Sequence, residues 1–211
     1  MEFCEDNQVQ NILYWSKRLY QKGMSPSTSG NVSVKTDNGI LISGSGICLN
    51  DMNENDVVLI DYNGNVKSGN KKPSSEKIMH SEIYTRRDDL SAIIHCHCPV
   101  ITAFAVAGQS IKKPILPDFA LFYDEIPLIP YFCPSSIDLA VSVGEMFEKG
   151  HNALLLKNHG IVLGDTTLQN AFYKLELIRA YCEVYFGAEV LGGAKSISKT
   201  GVNEIKKLYR K

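Results

Sequence analysis

Two histidines separated by one residue stand in the stretch Ile93-Ile94-His95-Cys96-His97-Cys98-Pro99. The β-branched lead-in reads as a short buried strand. Alternate side chains of a strand share a face, so His95 and His97 stand together, about 7 Å apart along the strand. Cys96 and Cys98 then face the other way, into packing. Pro99 removes a backbone donor and suits the first turn of a following helix. A third histidine, His159, lies in Lys157-Asn158-His159-Gly160, a turn at the end of the apolar run Ala153–Leu156. Three imidazoles from these segments plus one carboxylate satisfy tetrahedral zinc. Such a set leaves or frees one position for a substrate, which marks a catalytic metal. The bland alternative is buried or surface histidines with no ion. His80 falls mid-helix and His151 in a polar loop, where surface or packing roles are expected.

Three other stretches carry the residues that meet anions. They are Thr28-Ser29-Gly30-Asn31, Ser43-Gly44-Ser45-Gly46 and Lys72-Pro73-Ser74-Ser75-Glu76. Ser, Asn and Gly are ordinary turn residues, yet closely spaced N–H groups and hydroxyls also cradle phosphate. The third stretch opens a helix that Ser74 or Ser75 can cap, and free N–H groups at a helix start favour anions. Glu76 would lie in the first turn, where a carboxylate also simply complements the helix dipole.

The elements that must position these residues follow from periodicity. Residues 7–22 carry apolar side chains at helical spacing and stop at Gly23. Val32–Lys35 and Ile40–Ser43 flank Asp37-Asn38-Gly39 as a hairpin, and Val57–Ile60 and Asn65–Lys67 flank Asn63-Gly64 as another. Helices are expected over 99–107, 137–149, 168–191 with Thr167 as cap, and 202–209; Ile126–Ile129 reads as a strand and 118–125 is ambiguous.

At 211 residues the chain reads as one domain, 1–211, large enough for a core without staples. A net charge of −1 with interspersed signs offers no basic stripe for nucleic acid. No run approaches 18 apolar residues, and Met1-Glu2-Phe3-Cys4-Glu5-Asp6 lacks the basic start of a signal peptide, so no membrane association and a cytoplasmic location are expected. The six cysteines are scattered without framework spacing and read as free thiols.

Five pieces in order resemble the class II aldolase/adducin family: Ser29-Gly30-Asn31-Val32-Ser33, Ser43-Gly44-Ser45-Gly46, Pro73-Ser74-Ser75-Glu76, His95-Cys96-His97 and Lys157-Asn158-His159-Gly160. The resemblance implies an α/β fold, a three-layer α/β/α sandwich with a largely antiparallel sheet. It implies a C4 homotetramer with sites between subunits. By it, His95, His97 and His159 are ligands of one Zn²⁺ per chain, or of another divalent metal. Glu76 is the acid/base and a further ligand in the empty site. Thr28, Asn31, Ser45, Gly46, Ser74 and Ser75 bind the substrate's phosphate, and Tyr209 resembles a tail tyrosine lent to a neighbour's site.

The implied activity is zinc-dependent cleavage of a ketose 1-phosphate, L-fuculose 1-phosphate first, to dihydroxyacetone phosphate and a short aldehyde through a metal-stabilised enediolate. Epimerase, dehydratase and decarboxylase members would use the same groups, and a non-catalytic adducin-like module would lack the histidines. One departure stands out. Where the family's aldolases carry a tyrosine, this chain has Pro117-Asp118-Phe119, with Tyr123 further on.

Overall fold

The computed structural model describes residues 2–209, with side chains from residue 7 onward. One eight-stranded sheet, β1 (Asn31–Thr36), β2 (Gly39–Ser43), β3 (Val57–Ile60), β4 (Val66–Ser68), β5 (Ala92–Cys96), β6 (Leu128–Ile129), β7 (Ala153–Leu156) and β8 (Gly160–Asp165), runs in the order β4-β3-β2-β1-β5-β8-β7-β6. Every pairing is antiparallel except β6 with β7.

The strands at the sheet's centre are buried on both faces, and their alternation divides the interior in two. Val32, Val34, Ala92, Ile94, Cys96, Ile161 and Leu163 join one apolar cluster with residues of α1 (Glu2–Gln21), α3 (Pro99–Val106) and α6 (Leu168–Val190). Ile40, Ile42, Ile93, Leu154, Leu156 and Val162 join the other, under α2 (Lys77–Arg86) and α5 (Ile137–Glu148). Fully burying one such aliphatic side chain contributes about 1.5–3 kcal/mol, so the two clusters hold helices on both faces. The result is the expected three-layer α/β/α sandwich with a mostly antiparallel sheet.

Two further helices, α4 (Pro117–Phe122) and α7 (Lys199–Tyr209), pack against each other. The first helix begins earlier than periodicity suggested, at Glu2, and the last at Lys199 rather than 202. The ambiguous 118–125 region resolves into the short α4, opened by Pro117 at its first turn. Cys96, Cys98 and Cys182 are buried thiols, as expected of packing residues; Cys4 lies outside the described side chains. No described helix is long and apolar enough to cross a membrane.

Candidate metal centre and anion cleft

Antiparallel pairing gathers the candidate residues at one end of the sheet. The register pairs Asn31 with His95, and Cys96 with Ile161, so the start of β1, the end of β5 and the start of β8 lie side by side. His95 occupies the face of β5 opposite Cys96, and His97 follows directly after the strand. Leu156 pairs with Gly160, leaving Lys157-Asn158-His159 as a three-residue hairpin loop with Asn158 in the left-handed region, φ +57°. Glycine is required at 160: a Cβ there would strike the Cys96 carbonyl and come within 3.0 Å of the His97 ring.

The three rings converge with centroids 4.8–5.0 Å apart. One nitrogen from each lies within 4.8 Å of the others, and the Nε2 atoms of His95 and His97 are 3.1 Å apart. His95 Nδ1 donates to the Ile161 carbonyl at 3.0 Å. That bond fixes the ring's tautomer and leaves Nε2 as the inward ligand atom. Glu76 faces the group, with Oε2 3.0 Å from His95 Nε2 and Oε1 3.5 Å from His159 Nε2. Oε1 is buried and accepts no hydrogen bond. Crowded imidazole lone pairs beside a buried carboxylate repel or stand unpaired unless a cation draws them together. The donor set fits a divalent metal of the zinc type.

Electrostatics agree. Burial raises the Glu76 carboxyl, but His95, His159 and the Asn31 hydrogen bond outweigh it and hold the acid well below the usual range. Burial lowers His95, while Glu76's charge and hydrogen bond raise it further, for a net rise. His97 and His159 are each pushed down to about 4, first by burial and then by the charge on their neighbours. Both therefore offer bare nitrogens at neutral pH.

A cleft of about 270 Å³ opens beside this cluster. It is lined by His97, His159 and Glu76 together with Thr28, Asn31, Ser45, Gly46, Ser74 and Ser75. All six residues singled out as phosphate contacts thus share one cavity with the metal cluster. Thr28, Ser45, Gly46 and Ser75 are exposed on it, and Asn31 and Ser74 are buried in its wall. Glycine is needed at 30 as well, where φ is +81° and a Cβ would meet the Ser25 hydroxyl and the His95 carbonyl.

The structure corrects the reading of the α2 start. Neither Ser74 nor Ser75 is the cap of α2: Glu76 itself stands at the N-cap, not in the first turn, and its side chain makes no cap hydrogen bond. Ser74 Oγ instead accepts from the Glu76 N–H at 3.2 Å. Of the surface and packing roles open to His80 the structure shows the buried one, with Nε2 2.6 Å from Asn31 Oδ1 and Nδ1 2.6 Å from Ser33 Oγ. Its four-residue offset from Glu76 was the signal available in the sequence. Pro134 and Ser135, just before the Ser136 cap of α5, also line the cleft and were not among the candidate residues.

Phe119 lies in the core, its ring 4.3 Å from that of Tyr181 and 5.6 Å from that of Tyr123, and neither Phe119 nor Tyr123 lines this cleft. Asp118 is exposed on α4. Tyr209 is 70 % exposed on α7 and does not line its own chain's cleft. His151 stays in the loop between α5 and β7, apart from the cluster.

The three-histidine cluster beside a donor-lined cleft is a candidate metal centre, and comparison with known proteins says in which family it stands. Residues 10–186 match the model of the Class II Aldolase and Adducin N-terminal domain. An L-fuculose phosphate aldolase of Methanococcus maripaludis is 32% identical over 184 residues, 87% of this chain and 98% of that protein. A 5-methylthioribulose-1-phosphate/5-deoxyribulose-1-phosphate aldolase of Escherichia coli is 33% identical over 165 residues, 78% of this chain and 76% of that protein. A solved L-fuculose 1-phosphate aldolase superposes with a TM-score of 0.86 at 29% identity, covering 96% of both chains. The chain belongs to the class II aldolase and adducin family. Within that family it is an aldolase, a carbon–carbon lyase of the metal-dependent class.

Proposed function

We propose that this enzyme cleaves a ketose 1-phosphate to dihydroxyacetone phosphate and a short aldehyde, using zinc held by His95, His97 and His159. One observation carries the reading: the three-histidine cluster opens, through His97 and His159, onto the same cleft that Glu76 and the three hydroxyl- and glycine-rich turns line. The names of relatives support the substrate class: one solved relative is an L-fuculose 1-phosphate aldolase, and the Escherichia coli relative is named for 5-methylthioribulose 1-phosphate and 5-deoxyribulose 1-phosphate. L-Fuculose 1-phosphate is the first substrate to test, and a 5-deoxy- or 5-methylthio-ribulose 1-phosphate the second.

Each group has a distinct task. Thr28, Asn31, Ser45, Gly46, Ser74 and Ser75 hold the phosphate through N–H and hydroxyl donors, which fixes the reacting carbons beside the metal. When bound, the metal supplies Lewis acidity to the negative charge that develops on substrate oxygens. Cleavage leaves the bonding electron pair on the phosphate-bearing half. Glu76 returns a proton to that carbon, and in the condensing direction removes it. Glu76 also faces the histidine cluster and would add a carboxylate oxygen to a metal held there in the empty site, and its Oε1, free of hydrogen bonds, suits both duties. Tyr209, exposed on α7, is lent to a neighbouring subunit's site in a homotetramer, in a cytoplasmic enzyme of one domain.

The test is metal analysis and product identification on purified protein. One zinc per chain is expected, abolished by His159→Ala and kept in His151→Ala, with dihydroxyacetone phosphate formed from a ketose 1-phosphate and little reaction of the free sugar. A metal-loaded protein that leaves every ketose 1-phosphate intact, or epimerises it without cleavage, overturns the reading. Light scattering should give a tetramer, and deleting residues 208–211 should lower turnover without lowering zinc content.

A further inference from the structure

A polar seam crosses the otherwise aliphatic layer under α2. Glu76, His80 and Tyr84 recur every four residues and so form one stripe on the helix. Asn31 and Ser33 are alternate residues of β1 and share the face that meets it. The contacts run unbroken from one end to the other. Tyr84 OH donates to the Ser33 carbonyl at 3.0 Å and lies 2.9 Å from Ser33 Oγ. Ser33 Oγ is 2.6 Å from His80 Nδ1, His80 Nε2 is 2.6 Å from Asn31 Oδ1, and Asn31 Nδ2 donates to Glu76 Oε2 at 3.2 Å. All five side chains are buried, among Ile42, Met79, Ile83 and Ile93.

The seam has a direction, fixed by its cleft end. An ionised carboxylate only accepts, so the Asn31 amide must turn its NH₂ toward Glu76 and its oxygen toward His80. His80 must then carry its hydrogen on Nε2 and accept on Nδ1, and the Ser33 hydroxyl must donate to it. The opposite tautomer would turn the Asn31 oxygen onto the carboxylate. Apolar side chains of similar volume would fill this layer without the desolvation that five polar groups incur.

We propose that His80 is a positioning residue for the site: by holding the Asn31 oxygen, it makes Asn31 a pure donor at the cleft, with one N–H on Glu76 and the other facing the substrate's phosphate. The proposal rests on Glu76 acting as the acid/base and on the cleft taking a phosphate. It adds the group that aligns the two. Glu76 is held in place, and Asn31 cannot flip to present an oxygen to either anion.

Two measurements on the metal-loaded protein test it. In ¹⁵N-labelled wild type, the His80 ring should show a protonated Nε2 and a bare Nδ1, read from the nitrogen chemical shifts; a hydrogen on Nδ1 overturns the proposal whatever the variants do. The second is exchange of the carbon-bound proton of dihydroxyacetone phosphate with deuterated water. A glutamine amide reaches the Nε2 position and an asparagine amide only the Nδ1 position. His80→Asn should therefore slow exchange about 10–100-fold, the usual effect of losing such an outer partner, and raise KM for the phosphate ester, with metal content unchanged. His80→Gln should restore both to within a few-fold. Glu76→Gln serves as the reference. If it exchanges at the wild-type rate, the acid/base reading falls and this proposal with it. If it is silent while His80→Asn and His80→Gln behave alike, the acid/base reading stands and His80 is merely structural. Should His80→Asn fail to fold, the wild-type tautomer alone decides.

Discussion

Two helix starts in this molecule are built in opposite ways. At the start of α6, Thr167 takes an extended conformation and its hydroxyl accepts from the Asn170 N–H at 3.1 Å. Ser136 does the same for α5 with the Leu139 N–H at 3.2 Å. At α2 the cap position belongs to Glu76, which gives no side-chain cap, although two serines stand just before it. A helix start with unsatisfied N–H groups costs stability unless something else meets them. The α6 start is complete within the chain, and the α2 start opens on the cleft beside Ser74 and Ser75. The first is a structural terminus; the second meets its Glu76 and Lys77 N–H groups locally through Ser74 and, under the proposed function, turns its macrodipole and the Ser75 hydroxyl to an anion.

The largest effect should come from Glu76→Gln, which keeps the shape of the α2 start but removes the proton acceptor. Turnover should fall about 10²–10⁴-fold, roughly 3–5 kcal/mol of barrier. As a mere dipole partner the residue would change stability by about 0.3–1 kcal/mol and leave turnover alone. Steady-state kinetics alongside thermal melts separate the two. Wild-type kcat in the variant would reduce α2 to a helix start like any other.

Next is Ser75→Ala. The side chain is exposed on the cleft, so folding should not notice its loss. A hydrogen bond to a charged group is worth about 1.5–3 kcal/mol, so KM for the phosphate ester should rise some tenfold or more, with metal content and melting temperature held. Competition by inorganic phosphate measures this directly. An unchanged inhibition constant would remove the α2 start from the anion site.

This contrast explains what could be read from the sequence. His95 and His97 are legible because strand alternation puts them on one face and turns Cys96 away: Cys96 packs in the opposite cluster, and the His97 ring meets that of His95 just past the end of β5. Thr167 was legible because a hydroxyl immediately before a periodic apolar run is a local signal. The α2 start was misread because its geometry is tertiary: the Ser74 N–H donates to the Ser43 carbonyl and Gly44 bridges to Pro73, which fixes Ser74 outside the helix. The sequence leaves His80 open between surface and packing roles because its partners, Asn31 and Ser33, lie 49 and 47 residues earlier on a strand. Phe119 shows the same limit. Its burial against Tyr181 depends on where α4 lands, which no local pattern states.

The third prediction uses the buried stripes of the same two helices. α6 buries Leu175, Ile178 and Cys182, whereas α2 buries His80, whose ring burial pushes down to about 3 with a further push from His95. In the unfolded chain the ring titrates near its ordinary 6.5. Between these values the unfolded state binds a proton that the folded state refuses, so this residue's contribution to stability falls as pH drops from 6.5 toward 3. Going from pH 7 to pH 5 should cost the wild type roughly 2 kcal/mol more than His80→Gln. Glu76 also loses stability in acid and His95 gains it, but both are common to the two proteins and cancel in the difference. Urea midpoints at the two pH values give the number. Parallel acid losses in the two proteins would mean that His80 is not held neutral by the fold.

The smallest effect belongs to the other helix start. Thr167→Ala removes the hydroxyl that accepts from Asn170 and leaves that N–H to water. Loss of such a cap costs about 1 kcal/mol, visible as a lower urea midpoint with an unchanged slope. The three-histidine cluster, the turns that line the cleft and the His80 seam all lie at or behind the opposite end of the strands, where β8 begins rather than ends. Zinc content, kcat and KM should therefore match wild type once the melted fraction is allowed for. This variant is the mirror of Ser75→Ala, one moving stability without chemistry and the other moving substrate binding without stability. If Thr167→Ala were to raise KM for the phosphate ester as Ser75→Ala does, the two helix starts would not differ in kind. The catalytic effect of α2 would then be one of general helix stability rather than of a macrodipole and hydroxyl turned to an anion.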